Sequence, residues 1–246
     1  MPELYDRIGC NYAGYRRPDP RIGAAIARAL GSAATLVNVG AGAGSYEPVD
    51  RSVVAVEPSV AMIAQRPRGT APVLRAYAAA LPFPDASFDA ALAILTIHHW
   101  DERARSLAEL ARIARQRVVI LTWDPDAEGF WLTQDYFPEM VALDRKQMPP
   151  LPEIARVLGP LEVQHLGVPH DCSDGFLAAY WRRPQAYLDA GARIAISAFD
   201  RIGDPTPGLR RLEADLRSGE WQRRYGHLQE LSELDPGYRL ITAVLR

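Results

Sequence analysis

Apolar and polar positions along the first half of the chain follow two alternating rhythms. Residues 34–40 ("ATLVNVG"), 51–57 ("RSVVAVE") and 72–77 ("PVLRAY") are short apolar runs of strand length. Residues 87–97 ("SFDAALAILTI") and 117–123 ("RVVILTW") are apolar at successive positions, as parallel strands buried on both faces are. Between them the period lengthens. Residues 101–115 ("DERARSLAELARIAR") place apolar side chains at 104, 107, 108, 110, 111 and 114, a helical spacing. Residues 19–31 ("DPRIGAAIARALG") carry helix punctuation at both ends: Asp19 can cap, Pro20 suits the first turn and Gly31 the stop. Residues 59–66 predict a short helix closed by Pro67. Strands alternating with helices across short connections predict a parallel sheet covered by helices.

The rhythm changes after Trp123. Residues 124–160 are rich in proline and aromatics ("FWLTQDYFPEM", "MPPLP") and predict a lid region. Residues 161–169 predict a strand, about 171–235 a mainly helical segment, and the closing "GYRLITAVLR" a terminal strand. The expected layout is one α/β domain with a helical insertion between its last two strands. The core covers residues 1–169, the insertion or substrate cap 170–236, and the terminal strand 237–246.

With 246 residues, 48% hydrophobic and 24% charged, the chain has an ordinary globular composition. A net charge of −2 creates no field that draws nucleic acid. Cys10 and Cys172 are too few for a disulfide framework and lack metal spacing, so no metal is expected. The opening "MPELYDRIGC" does not read as a signal peptide. Residues 90–97, the longest apolar run, fall far short of the roughly 20 a membrane span needs. These features predict a cytoplasmic, soluble protein that is a monomer or a homodimer and has no membrane partner.

The chemistry centres on "NVGAGAGSYEPVDRSVVAVEPS" (38–59). A dinucleotide fingerprint would need a third glycine at 45, where serine stands, and no GK[ST] ends the turn as in a phosphate loop. Instead GxGxG follows one strand and Glu57 ends the next. Glycines admit a ligand close to the backbone, and a carboxylate at that strand tip can accept hydrogen bonds from ribose hydroxyls.

"VNVGAGAG", "VVAVEPSVAMI" and "LPFPDASFDAALAILTIHHW" together resemble the class I S-adenosylmethionine-dependent methyltransferases, of the small-molecule type 11 kind, over roughly residues 5–125. The resemblance implies a Rossmann-like seven-stranded, mainly parallel sheet with helices on both faces, and S-adenosylmethionine as cofactor. It assigns Asn38, Gly40, Ala41, Gly42 and Gly44 to the cofactor, together with Glu57, Pro58, Ala78, Leu95 and Arg16. Tyr12 and Arg16 are expected to fold over the bound molecule, Arg16 pairing with its methionine carboxylate. The sequence departs from the family in four places. Asn38 replaces a common aspartate, and Tyr77 and Ala79 stand where acidic residues often flank the adenine. "RIARQRVV" lacks the usual Pro-Gly-Gly turn. Gly44 and Glu57 are only thirteen positions apart with Pro48 between, so at about 1.5 Å per residue at most one or two helical turns fit. A turn is therefore expected at 45–50 in place of a full helix.

In an open α/β sheet the ligand crevice lies beyond the carboxyl ends of the strands, which brings "TIHHW" to it. His99 is the preferred base and His98 the alternative, since imidazole titrates near neutrality; Tyr12 completes the expected catalytic set. Trp100 and Trp123, with His170, Trp181 and Arg182 of the insertion, are expected to bind the acceptor, an arginine among aromatics suiting an organic acid. Cys172 is expected to be structural, and His165 and His227 receive no role.

The leading function is methyl transfer to an oxygen or nitrogen atom of a small natural-product or organic-acid acceptor. The alternative is a non-methylating homologue that binds S-adenosylmethionine as a regulator or a cyclase-like catalyst. A nucleic-acid methyltransferase is disfavoured by "LTIHHW" standing where an Asp/Asn-Pro-Pro-aromatic motif would be, and an NAD oxidoreductase by Ser45.

Overall fold

A computed structural model describes residues 15–245. Its strands are β1 (Thr35–Val39), β2 (Ser52–Val56), β3 (Val73–Leu74), β4 (Phe88–Ile94), β5 (Ala114–Trp123), β6 (Leu161–His165), β7 (Val168–Pro169), β8 (Glu233–Leu234) and β9 (Tyr238–Val244). Seven of them form one sheet in the order β3-β2-β1-β4-β5-β9-β6. β1 to β5 pair in parallel, whereas β9 runs antiparallel to both β5 and β6. This is the seven-stranded, mainly parallel architecture expected from the sequence. The order reverses between β1 and β4, a switch point beyond whose strand ends a crevice opens.

Alternation explains why both faces are covered. Leu36, Ala90, Leu92, Val119 and Leu121 point to one side, where α1 (Pro20–Leu30) lays down Ile22, Ile26 and Leu30. Their neighbours Val37, Ala91, Ala93, Val118 and Ile120 point to the other. There they meet Leu107, Leu110 and Ile113 of a helix at Arg103–Ile113, α3 once α2 (Val60–Ala64) is counted. Each fully buried Ile or Leu side chain contributes roughly 1.5–3 kcal/mol. Asp19 caps α1 by accepting from the Arg21 N–H, and Ser59 caps α2 from the Met62 N–H. α3 stops two residues short of the expected end. Ala114 pairs with Phe88 as the first residue of β5, and Ala104 and Ala108 face solvent.

Residues 124–160 form a π-helical turn at 132–136, α4 (Pro138–Gln147) and α5 (Leu151–Leu158). Between β7 and β8 lie α6 (Ala190–Ile194), α7 (Ser197–Arg201), α8 (Thr206–Ser218) and α9 (Glu220–Tyr225). The antiparallel β7–β8 pair clips the two ends of this insertion together. The aromatics of both regions share one core: the Trp131 ring packs edge-on against Trp221 at 5.4 Å and Tyr187 at 5.7 Å.

Candidate active site

The chain leaves β1 through a glycine turn that contains no helix. Gly40 has φ +70°, and a Cβ there would lie 2.1 Å from Thr96 Oγ1, so only glycine fits against the end of β4. The Gly40 and Ala41 N–H groups donate to the Val56 carbonyl, stitching the turn to β2. Glu57 then clamps it. One carboxylate oxygen accepts from the Gly42 N–H at 2.8 Å and the other from the Ser59 N–H at 2.9 Å.

A second clamp comes from residues with no motif of their own. Arg66 Nη2 donates to both carboxylate oxygens of Glu47, at 2.7 and 2.9 Å, and the guanidinium also donates to the Gly42 and Ala71 carbonyls. Both side chains are buried, 4% and 7% exposed, so the pair is screened little by solvent. Glu47 in turn accepts from Asn38 Nδ2 at 3.1 Å, which leaves the buried Asn38 Oδ1 without a hydrogen-bond partner. Tyr46, at φ +61°, carries the bracing outward: its hydroxyl donates to Asp174 at 2.9 Å. Side-chain and backbone bonds thus hold in place what a longer helix would otherwise anchor.

Beyond the ends of β1, β2 and β4 lies a cavity of about 220 Å³. Asn38, Gly40, Ala41, Gly42, Glu57, Pro58, Ala78 and Leu95 line it, with Met62, Tyr77, Thr96, His99 and Trp100. Leu95 has φ +51°, a conformation that costs a non-glycine residue about 1–3 kcal/mol. It also lines a second cavity of about 80 Å³, as does Arg16. The tight turn at Ile97–His99 packs its two imidazoles against each other, ring centroids 3.8 Å apart, with His99 lining the larger cavity and His98 the smaller. Burial, with the Arg201 charge, lowers the His99 imidazole to about 3; burial, with the charges of His99 and then Arg201, holds His98 well below its usual value.

The methyltransferase-domain family matches residues 37–122, the stretch that builds the larger cavity. A protein of Anabaena variabilis, named as a methyltransferase of an antibiotic biosynthesis pathway, is 38% identical; the match covers 94% of this chain and 99% of that one, with a TM-score of 0.86. The chain belongs to the S-adenosylmethionine-dependent methyltransferase family. More distant structures share only the fold. A Thermotoga maritima protein named as a methyltransferase is 17% identical over the whole of both chains, with a TM-score of 0.59. The [4+2]-cyclase SpnF is 18% identical over 99% of this chain and 93% of its own, with a TM-score of 0.55. No curated protein matches this chain.

The methyltransferase's cavity suits the family's cofactor on its own geometry. A carboxylate stands at the tip of β2, a cradle beside it admits no side chain at Gly40, and Asn38 offers a buried oxygen with no partner. Among the described residues no group of three or more His, Cys, Asp or Glu could hold a metal ion, and no helix is long and apolar enough to cross a membrane.

Several expectations require correction. Gly44 does not line the cavity; its missing side chain makes room for Arg66, whose Nη1 would lie 3.1 Å from a Cβ there. Arg16 lines both cavities, yet its Nε donates to the buried Asp174 at 2.6 Å, so its guanidinium is held by the insertion. His99 is a far weaker base than free imidazole, because burial and Arg201 oppose its protonation. Trp181 is fully buried in the cap core, its indole N–H donating to the Val168 carbonyl. His170 and Arg182 sit by the β7–β8 clip, bonded to the carbonyls of Ser232 and Leu231, and line neither cavity. Trp123 stays at the site, its indole N–H held by the Pro236 carbonyl beside the smaller cavity. Tyr12 lies outside the described residues. Burial pushes the Cys172 thiol up to about 12, which keeps it unreactive.

Sequence reasoning missed Glu47 and Arg66, and, at the smaller cavity, Asp144, Met148, Phe176, Ile196, Arg201 and Tyr238. Pro48 and the short Gly44-to-Glu57 interval were the available signal that something other than a helix must brace the turn. These missed residues of the smaller cavity carry no local signal.

Proposed function

We propose that this methyltransferase transfers a methyl group to an oxygen or nitrogen atom of a small natural-product or organic-acid acceptor. The observation that carries the reading is that Arg16 and Leu95 line both the glycine-turn cleft and the smaller pocket under the insertion, which places the two side by side. The name of the Anabaena variabilis relative, with its antibiotic biosynthesis pathway, agrees with such an acceptor.

In the larger cavity Glu57 would receive ribose hydroxyls, Asn38 Oδ1 the ammonium of the methionine end, and Ala78 with the half-exposed Tyr77 the adenine. The cofactor supplies an electrophilic methyl group when bound. The chain's own residues then act chiefly by positioning, the main requirement of an in-line displacement. Leu95 and the Ile97–His99 turn shape the passage between the cavities. His99 stands in its wall as a neutral hydrogen-bonding group, and Trp100 as an apolar one. Residues 170–236 serve as the acceptor's cap, tied to the glycine turn through Asp174, Tyr46 and Arg16.

A second reading, cofactor binding without methyl transfer, is favoured by one observation: neither histidine is a strong base. The fold shared with a cyclase is compatible with it. Incubation with S-adenosylmethionine and panels of small carboxylic acids, phenols and amines decides between them. S-adenosylhomocysteine formed in step with a methylated product supports transfer. Cofactor binding with no S-adenosylhomocysteine formed from any panel supports the second reading.

A further inference from the structure

The smaller cavity gathers side chains from seven parts of the chain. Trp123, Met148, Phe176, Ile196 and Tyr238 make its apolar and aromatic walls. Its charged members are Arg16, Asp144 and Arg201. The positive charge of Arg16 is met by the fully buried Asp174 behind it. Arg201 pairs with Asp144 at 2.9 Å and donates to Gln147, but its buried Nε–H has no hydrogen-bond partner, and neither has Nδ1 of His98. Asp144 Oδ1 also makes no hydrogen bond, but it lies in the ion pair with Arg201. Buried polar groups are nearly always satisfied, so Arg201 Nε and His98 Nδ1 mark a demand that a bound molecule meets.

The sign of that molecule follows from the charges. Asp144 is buried almost completely, and burial raises its carboxyl above the usual range, so it is a reluctant anion. His98 feels the charge of His99 and of Arg201, and His99 that of Arg201, so Arg201 reaches both rings. An anionic group entering between Arg201 and His98 meets a positive field and an unused donor. A cavity of about 150 Å³ accommodates benzene; one of about 80 Å³ takes the head of an acceptor, with the rest extending toward its mouth.

We propose that the smaller cavity is the acceptor subsite and that Arg201 selects acceptors carrying a carboxylate on a short apolar or aromatic body. This rests on the methyl-transfer reading above and names its substrate class. A carboxylate also suits a site without a strong base, because it is already ionised at neutral pH. Its oxygen takes the methyl carbon, and the carbon–sulfur bond breaks with its electron pair left on sulfur. An ester and a neutral thioether result, with no proton released.

Binding tests the proposal apart from turnover. The S-adenosylhomocysteine-saturated protein is titrated with butyrate and benzoate, with butyramide and benzamide, and with benzylamine, followed by saturation-transfer NMR. The carboxylates are expected to bind at least tenfold more tightly than their amides. Arg201→Gln is expected to erase that preference while leaving S-adenosylhomocysteine affinity within twofold. Because Arg201→Gln leaves Asp144 buried without its partner, the Arg201→Gln/Asp144→Asn double variant repeats the test with both charges removed. Equal binding of benzoate and benzamide, tighter binding of benzylamine, or no binding by any probe would overturn the carboxylate assignment while the methyl-transfer reading stands. Absence of S-adenosylhomocysteine binding by the wild-type protein would overturn the methyl-transfer reading itself.

Discussion

At the glycine turn the charged side chains hold one another: Glu57 is tied by two backbone N–H groups, and Glu47 by Arg66 and Asn38. Around the smaller cavity the ties are incomplete, with Arg201 Nε and His98 Nδ1 both unmet. The first region is shaped by backbone hydrogen bonds and one buried ion pair, and leaves Asn38 Oδ1 and Arg66 Nε without hydrogen-bond partners. The second is made of side chains that seven segments bring together. On the proposed reading, cofactor recognition is built into the sheet and acceptor recognition into the pieces laid over it.

The sharpest way to break this contrast is at Arg66. Arg66→Met leaves Glu47 buried and unpaired, which should lower stability by about 3–5 kcal/mol and weaken cofactor binding; urea unfolding and calorimetry measure the two. Arg66→Met with Glu47→Gln should recover much of the stability but not the affinity, because the Gly42 carbonyl loses its donor. A single variant that unfolds at the wild-type midpoint would show that the turn stands without its clamp.

Next in size is Gly40→Ala, which puts a methyl group against Thr96 in a left-handed conformation. A hundredfold loss of cofactor affinity, about 2.7 kcal/mol, is expected in the same titration. Gly159→Ala is its control: φ is +83° but nothing lies within 4 Å, so only modest backbone strain and unchanged binding should follow.

The histidines predict a pH dependence. With their folded values lowered beneath the ordinary 6.5, the unfolded chain binds more protons, so stability falls as pH drops below about 6.5. The slope approaches about 1.4 kcal/mol per pH unit for each ring, and for His99 it persists until pH nears about 3. Melting points of wild type and His99→Gln between pH 7 and 5 measure it; parallel curves would mean the ring is not held neutral. Smallest of all, His170→Ala, remote from both cavities, should change cofactor and acceptor affinity by less than twofold.

The same contrast explains what could be read in the sequence. The α1 caps, the doubly buried strands β4 and β5, and Glu57 all depend on residues within a few positions of one another, and local pattern carries them. Trp181 shows the limit. Aromatic neighbours and an arginine marked it as acceptor-binding, but its bond to the Val168 carbonyl and its place beside Trp131 put it in the cap core. Glu47 and Arg66 are nineteen positions apart, and Asp144 and Arg201 fifty-seven, with no motif to join them. The partner that turns an ordinary surface-type charge into part of a site is supplied by the fold.

The most direct test of the account is calorimetric titration with S-adenosylmethionine and S-adenosylhomocysteine of the wild-type protein and of Glu57→Gln, with melting curves to check that the variant folds. Micromolar binding by the wild type, weakened at least tenfold in a folded Glu57→Gln protein, is the predicted result. Binding unchanged by the substitution would contradict it, because the β2 carboxylate would then hold the turn but not the cofactor.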